Sequence, residues 1–176
     1  MSTATRIPPP QTAGVHWYGT EIDVAIDTFS ATAVRASSLD AITTEVVRLR
    51  CARYHDCRLC QSLRSQDALA DGLDEILAAK VDHYENSDLD ESLKVALRLT
   101  DAVIVNPSSV DATMAAQLHE HFSQEQIAEM LHDIVKWSFQ KVLVALRLEA
   151  PVRDGLSVLS FDEHGDPSIG ESIAVG

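Results

Sequence analysis

Apolar side chains recur three and four residues apart along most of the chain, which places them on one face of an α-helix. This periodicity predicts helices near residues 20–34, 40–54, 57–71, 73–84, 93–106, 111–121 and 124–148. No segment alternates apolar and polar residues between hairpin turns, so the sequence predicts no β-strand. The pattern predicts an all-α fold, a helical bundle.

The expected helix ends carry the residues that terminate helices. Asp56 is placed to cap the helix at residues 57–71, and Gly72 is placed to end it. The segment SQEQ, at residues 123–126, has the spacing of a capping box at the start of the last helix. The helical segments are therefore expected to be separate elements joined by short turns.

The two ends of the chain lack helical periodicity. Residues 1–15 contain the run Pro8–Pro10 and are expected to form an extended arm. Residues 151–176 mix Gly and Pro with Asp and Ser, which predicts an irregular C-terminal tail. One helical domain at residues 16–150 is expected between them.

The length and net charge of the chain limit the classes of function that it can have. The chain has 176 residues and a mass of 19.2 kDa, enough to bury a core without metal or disulfide crosslinks. Its 14 basic and 27 acidic residues give a formal charge of −13, which disfavours nucleic acid and anionic membrane as partners. The first residues have no apolar run of the signal-peptide kind, so a cytoplasmic location is expected.

All three cysteines lie in the segment CARYHDCRLCQSLR, residues 51–64, and Cys57 and Cys60 are separated by two residues. A structural zinc site needs four ligands, and this segment offers only Cys51 and His55 besides the pair. A second interpretation is that the pair packs as small apolar side chains. A third reading is redox chemistry, because a Cys-X-X-Cys thiol at a helix start has a lowered pKa. Neither metal nor cofactor is expected.

The segment TEVVRLRCARYHDCRLCQSLR resembles the carboxymuconolactone decarboxylase superfamily, which includes the AhpD-like alkylhydroperoxidases. Its signature is a Glu, eleven residues, Cys, two residues, Cys, three residues and His. Glu45, Cys57 and Cys60 match this signature, but Arg64 stands at the histidine position. The resemblance extends through the later helices, over about residues 38–150. It implies an AhpD-like helical bundle that assembles as a homo-oligomer, a trimer or hexamer.

The resemblance also implies roles for the matching residues. Cys60 would attack a peroxide, Cys57 would close the disulfide, and Glu45 would take part in proton transfer. The family often has a second histidine just before the second cysteine, where this chain has Leu59. Arginine cannot accept and return a proton at ordinary pH, so Arg64 cannot replace the histidine at its position. His55 is the only histidine near the pair in the sequence that could take over this proton transfer.

On one continuous helix Arg64 would share a face with both cysteines. In the family fold that the resemblance implies, the Glu of the motif approaches the same site, so we expect Arg64 to form an ion pair with Glu45 beside the thiols.

These inferences favour a thiol redox protein that acts on a small-molecule peroxide or disulfide and uses an unknown thiol reductant. Two alternatives remain open. One is a decarboxylase-like enzyme of the same superfamily that uses no redox thiol. The other is a non-enzymatic oligomeric binding protein on the same scaffold.

Overall fold

Most of the chain is helical, as the apolar pattern predicts. A computed structural model describes residues 21–174, so the expected arm at residues 1–15 lies outside the described part. The α-helices are α1 (Glu21–Ala33), α2 (Ala41–Tyr54), α3 (Arg58–Gln61), α4 (Gln66–Ala70), α5 (Glu75–Lys80), α6 (Glu91–Val105), α7 (Ala112–His121), α8 (Gln124–Ser138) and α9 (Gln140–Leu146). Short 3-10 helices follow α5 at Val81–Asn86 and α6 at Pro107–Ser109.

Helix α2 lies at the centre of the fold. It begins after Asp40, whose carboxylate accepts a 2.8 Å hydrogen bond from the Thr43 backbone N–H. Two separate hydrophobic clusters pack against it, one containing Val47 and the other containing Leu49. The buried residues of α2 are Thr43, Glu45, Val46, Val47, Arg48, Leu49, Cys51 and Ala52. Because α2 is covered on several sides, its polar residues need partners inside the protein.

Two local predictions about helix ends are confirmed. At the start of α8, Ser123 and Gln126 cap each other's backbone N–H groups in a capping box. Gly72 has a φ of 98°, a conformation that favours glycine, and it follows the end of α4. The expected last helix is divided at Phe139, where α8 ends and α9 begins after it.

The prediction of an irregular C-terminal tail is wrong. Strands β2 (Leu156–Phe161) and β3 (Pro167–Ile173) form an antiparallel hairpin. The Asp162 side chain accepts hydrogen bonds from the backbone N–H groups of His164 and Asp166, and these bonds close the turn. The connection between the strands contains Asp162, Gly165 and Asp166. Other residues that suggested irregular chain, Ser157, Ser160, Pro167, Ser168 and Gly170 among them, lie within the strands, where strand pairing overrides their local preference.

The expected helix at residues 57–71 is also wrong. Asp56 has a φ of 55°, and Cys57 rather than Asp56 caps α3. The chain then leaves the helix and forms strand β1 (Leu63–Ser65), which pairs in parallel with β2. Long-range pairing with a segment nearly a hundred residues away overrides the local helical pattern here.

The sheet has the order β1-β2-β3. The all-α assignment is therefore corrected to a mostly helical fold with a small mixed sheet. In the stretch from residue 21 to 174, no helix is both long and apolar enough to cross a membrane.

The hairpin turn touches the backbone of α1 at one glycine. Gly165 has a φ of 86°, and a Cβ at this position would collide with the backbone of Ala31. We expect Gly165→Ala to lower the free energy of unfolding by at least about 2 kcal/mol more than Gly155→Ala, because overpacking adds to backbone strain. Gly155 has a φ of 83° and open space around the same position, so it controls for strain alone. Urea denaturation of both variants measures the difference, and equal losses would contradict the contact.

Candidate functional site

Glu45 and Arg48 form a buried ion pair on α2. Two bonds join them: Arg48 Nε to Glu45 Oε2 at 2.6 Å and Arg48 Nη2 to Glu45 Oε1 at 2.7 Å. The side chains are 1% and 3% exposed. Burial alone would lower the pKa of Arg48, but the charge of Glu45 and its hydrogen bonds raise it. Arg48 is therefore a permanent cation inside the protein.

The same pair holds the cysteine segment against α2. Arg48 donates to the carbonyl oxygens of Cys60 at 2.9 Å and Leu63 at 2.6 Å. Glu45 Oε1 accepts a 3.2 Å hydrogen bond from the Ser65 backbone N–H. These contacts fix the backbone on both sides of the turn between α3 and β1.

The expected ion pair between Glu45 and Arg64 is wrong. Arg64 lies in β1 and binds Glu75, with Arg64 Nε 2.7 Å and Arg64 Nη2 2.8 Å from the two carboxylate oxygens. Arg64 left the face of the cysteines because α3 ends at Gln61. The arginine whose charge acts on Cys57 and Cys60 is Arg48.

Cys57 and Cys60 lie side by side as free thiols. Their Sγ atoms are 2.7 Å apart, and the Cys60 backbone N–H lies 3.4 Å from Cys57 Sγ. A disulfide has an S–S bond of about 2.05 Å, so its formation requires only a small approach of the two sulfurs. The pair can therefore close a disulfide without rebuilding the segment.

The two thiols differ in proton affinity. The pKa of Cys57 is lowered because the sulfur–sulfur hydrogen bond and the Cys60 backbone N–H stabilise its thiolate, although burial opposes this shift. The pKa of Cys60 is raised because the same sulfur–sulfur hydrogen bond favours its protonated form, and burial adds to the shift. The first proton lost by the pair therefore leaves the negative charge on Cys57.

Cys60 lines a cavity of about 720 Å³, whereas Cys57 does not. Cys57 is fully buried and Cys60 is 5% exposed. Apolar side chains from the α3–β1 segment, α8 and the hairpin form much of the wall, including Leu59, Leu63, Trp137, Leu159 and Phe161. A small molecule in this cavity would meet the Cys60 sulfur first.

The comparison with solved structures matches this architecture. A crystal structure of ATU0492 from Agrobacterium tumefaciens superposes with a TM-score of 0.64 at 21% identity. The match covers 85% of this chain and 99% of that chain. That protein is of unknown function and has been provisionally named an antioxidant defence protein, AhpD. The present chain has an AhpD-like fold.

Two curated relatives are similar in sequence. The uncharacterised proteins Rv2313c and MT2376, from two strains of Mycobacterium tuberculosis, are each 35% identical over 143 residues, which is 80% of this chain. The chain spans about half the length of these relatives, 50% in each case. No family model matches the sequence.

The other sulfur and imidazole of the motif lie apart from the thiol pair. Cys51 is fully buried, and burial raises the pKa of its thiol to about 12. His55 Nε2 lies 3.3 Å from Ser138 Oγ, and burial, followed by the charge of Lys141, lowers the pKa of His55 to about 4. Within residues 21–174 no hydrogen bond joins His55 to either thiol of the pair. A proton-transfer role for His55 remains a prediction.

The sequence analysis missed two ionisable residues of α8. Burial lowers the pKa of Lys136 to about 7 and raises the pKa of Asp133 to about 7. Asp133 lies three residues after Met130 and four before Trp137, so it occupies the apolar stripe of the helix, and Lys136 borders it. A charged residue on an apolar stripe is the signal that could have identified Asp133.

Two polar atoms beside the thiols are left without partners. Trp137 Nε1 and Gln140 Oε1 are buried and have no hydrogen-bond partner within the described part of the AhpD-like fold. Both residues line the cavity that Cys60 opens to. Within the described range, no group of three or more His, Cys, Asp or Glu side chains is arranged to hold a metal ion.

Removing the charge of Glu45 should destabilise the protein strongly. Glu45→Gln leaves Arg48 as a buried cation without its counter-ion, and breaking a buried pair costs about 3–5 kcal/mol. Glu85→Gln is the matched control, because Glu85 pairs with Arg98 at the surface and such pairs contribute about 0–1 kcal/mol. Chemical denaturation of both variants measures the two costs. A loss for Glu45→Gln no larger than that of the control would refute the structural role of the pair.

Proposed function

We propose that this protein is a thiol-dependent peroxidase or disulfide-exchange protein whose Cys57 and Cys60 alternate between dithiol and disulfide. The observation that carries the proposal is the 2.7 Å distance between the Cys57 and Cys60 sulfurs, together with the place of Cys60 in the wall of a ligand-sized cavity. The AhpD-like fold supports it, since the resemblance to AhpD-like enzymes assigns redox chemistry to this cysteine pair.

Cys60 is the attacking thiol in this proposal, because it is the thiol that lines the cavity. Its sulfur bonds to the distal oxygen of a hydroperoxide while the O–O bond breaks, which gives an alcohol and a sulfenic acid on Cys60. Cys57 then attacks the Cys60 sulfur, an S–S bond forms, and the S–O bond breaks to release water. Two thiols and one hydroperoxide become one disulfide, one alcohol and one water.

The lining of the cavity favours an organic hydroperoxide over hydrogen peroxide. Its volume of about 720 Å³ falls in the range of small-molecule sites, and aromatic and aliphatic side chains form much of its wall. An external dithiol has to reduce the disulfide after each turnover, so the proposal includes a thiol reductant of unidentified structure.

Mild oxidation should join Cys57 to Cys60 and leave Cys51 free. Treatment with one equivalent of cumene hydroperoxide should remove two of the three titratable thiols, and peptide mass spectrometry should find the bridge between residues 57 and 60. Cys51→Ala is the control, because its thiol is buried and protonated and its loss should leave bridge formation unchanged. A bridge that includes Cys51, or no bridge at all, would contradict the proposed pair.

Catalysis is tested by following hydroperoxide consumption with dithiothreitol as the reductant. Cys60→Ser should abolish turnover, and Cys57→Ser should stop after one sulfenic acid that dimedone labels on Cys60. If the wild-type protein consumes no hydroperoxide and exchanges no disulfide, the proposed function fails and the two non-redox alternatives remain.

Self-association stays a prediction for the AhpD-like chain. Leu131, Val135 and Phe139 on the C-terminal half of α8 and just after it are 37–46% exposed. Trp137, by contrast, is buried within the chain and needs no partner to cover it. We expect sedimentation velocity at micromolar concentration to give a particle of at least three 19.2 kDa chains. A monomeric particle would count against assembly, and Val135→Glu should weaken any assembly that uses this face.

A further inference from the structure

Lys136 is a buried amine in the wall of the cavity that Cys60 lines. Its side chain is 7% exposed, and its Nζ lies 3.0 Å from the Trp137 ring centroid and 5.3 Å from the Phe161 ring centroid. Lys136 lines the same cavity as Cys60. No carboxylate lies within ion-pair distance of Nζ among residues 21–174. The aromatic rings hold the amine in place and favour its ammonium form.

The charged groups around Lys136 come from several elements. Asp133 lies one turn earlier on α8, Arg48 reaches the cavity from α2, and Cys60 comes from α3. Asp23 and Asp27 of α1 and Asp166 of the hairpin turn also line the cavity. Burial and the charge of Arg48 favour the neutral amine, whereas Asp133 and a Cys60 thiolate favour the ammonium ion. The amine is poised between its two protonation states.

No histidine lines the described wall of this cavity. Arg48 is a permanent cation, so it stabilises negative charge but cannot carry a proton. Of the described lining residues that combine a basic nitrogen with an exchangeable proton, Lys136 is the one that can gain and lose it near neutral pH.

We propose that Lys136 is the proton carrier of this site, taking the proton from the Cys60 thiol and returning it to the leaving alkoxide. This inference rests on the proposed thiol function. The neutral amine accepts the Cys60 proton as the sulfur attacks the distal peroxide oxygen. The O–O bond breaks, and the Lys136 ammonium donates its proton to the alkoxide to give the alcohol. The amine is neutral again after each attack, so no further reactant is needed for this step.

Two substitutions separate proton transfer from simple charge stabilisation. Lys136→Met removes both functions but keeps an unbranched apolar side chain. Lys136→Arg keeps the positive charge and cannot release a proton. Lys141→Met is the matched control, because Lys141 is an exposed residue of the neighbouring helix α9. Circular dichroism and thermal melting establish that each variant is folded.

The first measurement is the pH dependence of Cys60 alkylation by iodoacetamide in a Cys57→Ser background. Lys136→Met should raise the midpoint by about one pH unit or more, because an opposite charge near a thiolate is lost. Lys136→Arg should leave the midpoint unchanged or lower it. An unchanged midpoint in Lys136→Met would overturn the inference.

The second measurement is cumene hydroperoxide turnover with dithiothreitol. Both Lys136 variants should lose about 10²- to 10⁴-fold in kcat/KM, the usual contribution of general acid–base catalysis, and Lys141→Met should match the wild type. Wild-type turnover by Lys136→Arg would overturn the proton-carrier role. If Lys136→Met does not fold, the Lys136→Arg result decides alone.

The two measurements also distinguish this inference from the proposed function. A wild-type protein without hydroperoxide turnover refutes the peroxidase proposal, and the alkylation midpoint then decides by itself whether Lys136 is coupled to the Cys60 proton. A wild-type protein that turns over peroxide as fast as Lys136→Met retains the function and refutes the inference.

Discussion

The buried Arg48–Glu45 pair is the constraint on which the thiol site depends. Two charges inside a protein are stable only when they are paired and every remaining donor is satisfied. Arg48 meets this condition by binding Glu45 and the carbonyls of Cys60 and Leu63. The hydrogen bonds of Arg48 therefore fix the backbone that follows Cys60. The position of the thiol is in this way a consequence of the electrostatics of α2.

The C-terminal hairpin depends on the same arrangement. Once the chain beyond Cys60 is fixed and extended, β1 offers its backbone groups to β2, and Ser157 N–H donates to Ser62 O at 2.9 Å. This pairing brings Leu159 and Phe161 into the wall of the cavity. The C-terminal hairpin therefore forms one wall of the cavity at Cys60. The helices alone would leave that side of Cys60 uncovered.

The sequence predicted the features that local spacing determines. The helices at α2 and α6, the capping box of α8 and the proximity of Cys57 to Cys60 all depend on residues a few positions apart. Strand pairing between β1 and β2 joins segments nearly a hundred residues apart, so no local pattern could predict it. The continuous helix predicted in place of β1 led to the wrong ion-pair partner for Arg64. The role of Arg48 was missed for the same reason. Its carbonyl partners lie in the turn between α3 and β1, where the sequence predicted a continuous helix.

The two thiols of the site differ in charge and in position. Cys57 carries negative charge more readily, whereas Cys60 lines the cavity. Cys57 is stabilised as a thiolate but buried, while Cys60 lines the cavity and holds its proton more tightly. A thiolate at the cavity wall would be open to any electrophile, because the thiolate is the reactive form. In the proposed reaction, a Cys60 that is protonated at rest limits such side reactions, and removal of its proton is the step that commits the pair to attack. The proposed reaction therefore needs a proton acceptor near Cys60, and Lys136, which lines the same cavity, is the group proposed for that role.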